Sequence, residues 1–160
     1  MKDEKILLSI DPGNEFSAYC LIDMNTYKPI KFGKITNQEL KEYLQSKEFS
    51  DICSNNYIYF SIEMIASYGM SVGQTVFETC VWIGRFIELM CCNFQYVYRK
   101  DVKINLCGSM KAKDTNIRQA LIDRFGEVGT KKNQGFFYGF KADIWSAYAV
   151  GITFIDTCKH

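Results

Sequence analysis

Lys5-Ile6-Leu7-Leu8-Ser9-Ile10 is a short apolar run, and Asp11-Pro12-Gly13 closes it with turn residues. This pattern predicts a buried strand that ends on a carboxylate. Outward from it, FSAYCLID (Phe16–Asp23) predicts a second strand, and Asn25 begins a turn. KPIKFGKI (residues 28–35) predicts a third, weaker strand with Pro29 near its start, where proline is tolerated. Two hairpins in succession make a three-stranded antiparallel meander. Thr36-Asn37-Gln38-Glu39 then fits a capping box, with Leu40, Tyr43 and Leu44 on one helix face.

YIYFSI (residues 57–62) is rich in β-formers and predicts a fourth strand, ending at Glu63. Val72, Val76, Cys80, Ile83, Ile87 and Met90 recur at helical spacing, which predicts a long helix over 70–92. QYVY (95–98) predicts a fifth strand, and 113–125 predicts an amphipathic helix burying Ile117, Ala120, Leu121 and Phe125. Residues 126–139 hold four glycines and Lys131-Lys132 and read as a mobile loop. A largely apolar helix is expected over 141–157. The order βββ-α-β-α-β-α-α is that of an α/β, ribonuclease H-like fold. It implies a mixed five-stranded sheet, the meander plus parallel strands, flanked by helices.

A length of 160 residues suits one domain, 1–160, with no linker, repeat or low-complexity segment. Such a chain buries roughly two-thirds of its unfolded surface and needs no disulfide or metal to fold. Seven cysteines without a CxxC pair point to free thiols in a reducing compartment, the cytoplasm. Neither a secretory signal nor a membrane span is visible. His160 is the only histidine, so Ser-His-Asp and Cys-His catalysis and His-ligated zinc are excluded unless the terminus folds back. Net charge is +1, yet residues 99–141 carry ten Lys/Arg against four Asp/Glu. That imbalance is either a one-sided anion-binding face or a scatter of surface charges.

Three acids sit at telling places: Asp11 and Glu63 at the ends of apolar strands, and Asp143 at the start of the last helix. If the two strands are parallel neighbours, their terminal carboxylates lie side by side. Like charges at that spacing repel strongly, and an all-oxygen cluster suits a hard cation such as Mg²⁺ or Mn²⁺. Two such ions roughly 4 Å apart would support phosphodiester hydrolysis without a histidine. Asp-Pro-Gly is also an ordinary turn, and Asp143 also an ordinary dipole-stabilised helix start.

Ser9-Ile10-Asp11-Pro12-Gly13, Ser61-Ile62-Glu63, the basic stretch GSMKAKDTNI (108–117) and KADIWSAYAV (141–150) together resemble RuvC-type Holliday junction resolvases. The order and spacing hold over nearly the whole chain. The stretch from Glu63 through Tyr68-Gly69-Met70 is similar to phage-encoded members. The resemblance implies a homodimeric endonuclease that resolves four-way or other branched DNA in bacterial or phage-infected cytoplasm. It makes Asp11, Glu63 and Asp143 ligands of Mg²⁺ or Mn²⁺, two ions per site. The family usually carries a fourth acid or histidine one turn before the last Asp, where this chain has Phe140. Asp114 either substitutes for it or is a helix-start acid.

The resemblance also places Lys113 at the scissile phosphate and Tyr68 either stacked on bases at the crossover or packed in a loop. Lys100, Lys103, Lys111, Lys113 and Arg118 are candidate phosphate contacts, and Lys131 and Lys132 could reach a neighbouring arm. Phe77, Val81, Trp82, Gly84 and Phe86 give the long helix a second apolar face, suited to a twofold interface or to burial. A catalytically weak or dead branched-DNA-binding module is the alternative function. A ribonuclease on RNA–DNA hybrids shares fold and metals. A sugar-kinase-type phosphotransferase needs a second domain that 160 residues do not hold.

Overall fold

The structure is a computed structural model that describes residues 4–90 and 92–158. Cys91 and His160 lie outside the described residues. Five strands form one sheet: β1 (Lys5–Asp11), β2 (Phe16–Asp23), β3 (Pro29–Thr36), β4 (Tyr57–Met64) and β5 (Phe94–Tyr98). Their order across the sheet is β3-β2-β1-β4-β5. β1–β2 and β2–β3 are antiparallel, while β1–β4 and β4–β5 are parallel. The mixed sheet expected from the sequence is therefore present.

Alternation along the strands splits the core in two. Leu7, Ala18, Cys20, Ile22 and Val97 face one side, against α4 (Arg99–Cys107), α5 (Asp114–Phe125) and α6 (Ile144–Thr157). Ile6, Leu8, Ile10, Phe60 and Ile62 face the other, against α1 (Asn37–Leu44), α2 (Lys47–Asn55) and α3 (Gln74–Met90). A strand buried on both faces reads as a continuous apolar run, which is what residues 5–10 are.

α6 lies close on the sheet because its inner face is small. Ala147, Ala149 and Val150 are fully buried, and Gly151 is buried beside them. A Cβ at Gly151 would sit 2.4 Å from Ile22 Cδ1 and 3.1 Å from Ser9 Cβ. The Ser9 hydroxyl donates to the Ala147 carbonyl at 2.7 Å, tying β1 to the helix. With the Gly151 contact, this bond holds α6 close on the strand that ends in Asp11.

The Thr36 capping box forms as expected. The Thr36 hydroxyl accepts from the Glu39 N–H at 3.2 Å, and the Thr36 N–H donates to Glu39 Oε2 at 2.8 Å. Two helices were not expected. α2 starts at Ser46, whose Oγ accepts from the Phe49 N–H, and it buries only Phe49. α4 buries only Val102 and ends on Gly108 in the left-handed region (φ 68°). Elements with one core residue each carry too weak a periodicity to stand out.

Two boundaries also differ from expectation. The long helix begins at Gln74 rather than Met70, and α6 begins at Ile144 because Ala142 has φ 49° and Asp143 caps the helix. The glycine-rich loop 126–139 is anchored, contrary to the expected mobility. Phe137 is fully buried, the Phe136 ring stacks on Phe125 at 5.3 Å, and Gly129 bridges to Gln134.

Candidate active site

Register alone assembles most of the site. The pairs Asp11↔Ala18 and Ala18↔Lys34 put Lys34 in line with Asp11 across β1–β2–β3. In β1–β4 the pairing reaches Ile10↔Ile62, so one further residue sets Asp11 beside Glu63. Glu63 in turn pairs with Val97. Lys34, Ala18, Asp11, Glu63 and Val97 thus form one row, on the α6 face, since Ser9 bonds α6 and side chains alternate. Arg99 follows two residues after Val97 and opens α4.

The turn after β1 is built to hold Asp11 still. A Cβ at Gly13 would lie 2.3 Å from the Phe16 carbonyl oxygen, so only glycine fits. The Gly13 N–H donates to Ser17 Oγ at 3.2 Å, and Asn37 Nδ2 donates to the Gly13 carbonyl at 2.9 Å. Ser17 and Asn37 are themselves joined at 2.5 Å. Asp-Pro-Gly is therefore both an ordinary turn and the mount for the first acid.

Asp143 completes the constellation from the N-terminus of α6. Its Oδ2 lies 2.5 Å from Lys34 Nζ. Burial first, then the charges of Glu63 and Asp143, push the Asp11 carboxyl up to about 8 from its ordinary 3.8, with Arg99 and Lys34 opposing. Burial also raises Glu63, offset by Arg99 and reinforced by Asp143. Both shifts come first from the burial of the two strand-end acids, to which the half-exposed Asp143 adds its charge. Glu63 Oε2 is buried without a hydrogen-bond partner. An orphaned carboxylate oxygen beside a second carboxylate is a donor set that suits a hard divalent cation. Among the described residues, no three acids, cysteines or histidines already surround a common metal position.

A cleft of about 290 Å³ opens beside the acids, lined by Arg99, Asp114, Arg118, Asp143, Trp145 and Ser146, among others. The Arg118 guanidinium stands 4.8 Å over the Trp145 ring, and Arg99 is ion-paired to Asp114. Asp114 thus faces an arginine. Phe140 is buried against Phe32, Phe137, Trp145 and Tyr148 and takes no part in the polar site.

Of the candidate phosphate contacts, Arg118 lines the cleft and exposed Lys113 caps α5 at its edge. Lys100, Lys103, Lys111, Lys131 and Lys132 do not line it; all but half-buried Lys103 are exposed. Tyr68 is 62% exposed at φ 50°, just after β4, so its ring is free rather than packed. On α3, Phe77 and Val81 are exposed, Trp82 is half-buried with Arg85 over its ring, and Phe86 belongs to the core. Lys34 and Arg99 are the site residues that sequence reasoning missed. Lys34 had a signal, its place opposite Ala18 and hence in line with Asp11.

No protein-family model matches the chain, and no curated protein matches it either. Solved structures do. The chain is similar to Thermus thermophilus RuvC, with a TM-score of 0.68 and 10% identity over 92% of each chain. It is also similar to T. thermophilus RuvC in complex with a Holliday junction substrate, with a TM-score of 0.65 and 10% identity, over 93% of this chain and 91% of that one. At this identity the likeness shows the fold alone: a ribonuclease H-like mixed sheet flanked by helices.

Proposed function

We propose that the chain is a divalent-metal-dependent endonuclease that cuts four-way or other branched DNA. The observation that carries the reading is the row Asp11–Glu63 under the N-terminus of α6, with an orphaned buried oxygen on Glu63. Asp11, Glu63 and Asp143 would hold Mg²⁺ or Mn²⁺, which lowers the pKa of a bound water and stabilises charge on the cleaved phosphate. The turn around Gly13 keeps Asp11 in place. Lys113 and Arg118 neutralise phosphates of the strand entering the cleft, without reading bases, as recognition of branch shape requires. Exposed Tyr68 is placed to stack on an unpaired base.

A symmetric pair of such chains would offer one site to each of two like strands. The exposed Phe77 and Val81 on α3 supply an apolar surface for that pairing. The structured chain has no helix long and apolar enough to cross a membrane among the described residues, and the cytoplasm of a bacterial or phage-infected cell is the proposed setting.

The test is nicking of a synthetic four-way junction against linear duplex, in Mg²⁺ and then Mn²⁺, with wild type and Asp11→Asn. Paired cuts confined to the junction and lost in the variant support the reading. One observation favours a second reading, a binding module without catalysis: Phe140 is buried in an aromatic cage and Lys34 already engages Asp143. A retarded junction left uncut in both metals selects that reading.

A further inference from the structure

The cleft beside the acids holds two donors that the protein does not match. Arg99, Asp114, Arg118, Asp143 and Trp145 are among its lining residues. Among the described residues, Asp143 is ion-paired to Lys34 and Asp114 to Arg99. Arg118 makes no such pair there; its guanidinium stands 4.8 Å over the Trp145 ring. A guanidinium over an aromatic face keeps its in-plane N–H donors for another partner. The two acids that line the cleft each have a cation, and Arg118 is the cation left over.

Trp145 supplies the second donor. It sits in the first turn of α6, is only 7% exposed, and its Nε1 is buried without a hydrogen-bond partner. The ring packs on Phe137 and Phe140, with centroids 4.8 and 5.1 Å away. An indole N–H can only donate, so no change of tautomer or amide flip satisfies it. Leaving such a donor unmatched costs stability, and a ligand that brings an acceptor recovers that cost. A phosphate group fits this pair: its negative charge suits the guanidinium, and its tetrahedral oxygens reach two donors that approach at an angle.

We propose that Arg118 and the Trp145 indole N–H form a seat for one phosphate group, in the cleft next to the acids rather than among them. Seating the phosphate draws the Arg118 side chain off the shielded N–H and onto the phosphate oxygens. Arg118 supplies charge, and Trp145 supplies direction, since its ring is held by the aromatic cluster while lysines at the surface are not. With nucleic acid as the source of the phosphate, this rests on the function proposed above; the seat itself does not.

The experiment has two arms, both on the full chain in chelator. The first is binding of a labelled four-way junction, by fluorescence anisotropy across a salt series, for wild type, Trp145→Phe and Arg118→Met. Trp145→Phe keeps an aromatic ring and removes the N–H. It should weaken binding roughly tenfold with the salt slope unchanged, because a neutral donor releases no counterion. Arg118→Met should weaken binding and lower the slope by about 0.9. The second arm follows Trp145 emission in a Trp82→Phe background, titrated with junction or with inorganic phosphate. Both should shift the emission, phosphate only at far higher concentration, and Arg118→Met should abolish the phosphate response. Arg118 is exposed, so that variant remains informative should Trp145→Phe fold poorly.

Unchanged junction affinity in Trp145→Phe, with emission unmoved by phosphate, overturns the seat and leaves the branched-DNA reading standing. A salt slope that falls as far in Trp145→Phe as in Arg118→Met also overturns it, since the ring then serves only to place Arg118. An emission response to phosphate in a wild type that does not bind the junction supports the seat and overturns the branched-DNA reading. No response to either ligand overturns both.

Discussion

Replacing Asp11 by Asn should stabilise the metal-free protein at alkaline pH. Asp11 is set in a turn that only glycine at position 13 can close, beside Glu63 and opposite Asp143, and its carboxyl is raised from 3.8 to about 8. A carboxyl raised on folding contributes stability that is fully present below the unfolded pKa. That contribution is lost as pH rises from about 4 through about 8, because the unfolded chain ionises freely while the folded one resists. At ~1.4 kcal/mol per pH unit, the span from 3.8 to about 8 sets a ceiling of about 6 kcal/mol. Relaxation and water entry reduce such penalties, and roughly 2–3 kcal/mol is the expected gain for Asn at pH 9. For a chain of this length that raises the melting midpoint by roughly 5–10 °C. The assay is thermal denaturation in chelator at pH 5, 7 and 9. The gain should shrink steadily toward pH 5. Added Mg²⁺ should then raise the wild-type midpoint at pH 9 and leave the Asn variant unmoved. Equal midpoints at pH 9, or a less stable variant there, would refute the crowded-carboxylate reasoning.

Three further outcomes test other parts of the structure. Gly151→Ala should cost roughly 1–3 kcal/mol by driving a methyl into Ile22 and Ser9, measured by urea denaturation; an unchanged midpoint would mean that α6 does not rest on β1 as closely as described. Phe140→Asp should not supply a fourth ligand: losing the ring from its cage and burying a carboxylate should cost at least about 3–5 kcal/mol, and a stable variant with tighter Mn²⁺ binding would contradict the caged position. Lys113→Ala and Arg118→Ala should each weaken junction binding and lower the slope of log affinity against log salt by about 0.9, measured by fluorescence anisotropy between 50 and 200 mM salt. An unaltered slope for both would remove the cleft from the proposed DNA path.

The acids were legible in the sequence and their counter-charges were not, and the reason is physical. A carboxylate abutting KILLSI or YIYFSI stands out because charge next to a buried strand demands compensation. Lysine and arginine make up 19 residues of the chain, and most are ordinary surface charge, so neither Lys34 nor Arg99 stands out locally. What distinguishes them is pairing. Lys34 meets Asp143 only because β3 registers on β2 with Lys34 opposite Ala18, and β2 on β1 with Ala18 opposite Asp11. Arg99 enters only because β5 adds to the β4 edge and ends there in a helix whose sole buried residue is Val102. The weakly patterned elements, β3 and α4, are the ones that carry the cations, and weak apolar patterning follows from their place at the rim of the sheet. The acids come from β1, β4 and α6, which are central and therefore strongly patterned. Motif reading thus finds the acids of such a site while overlooking the cations that face them. In this chain those cations are Lys34, which meets Asp143, and Arg99, whose charge opposes the rise of both Asp11 and Glu63.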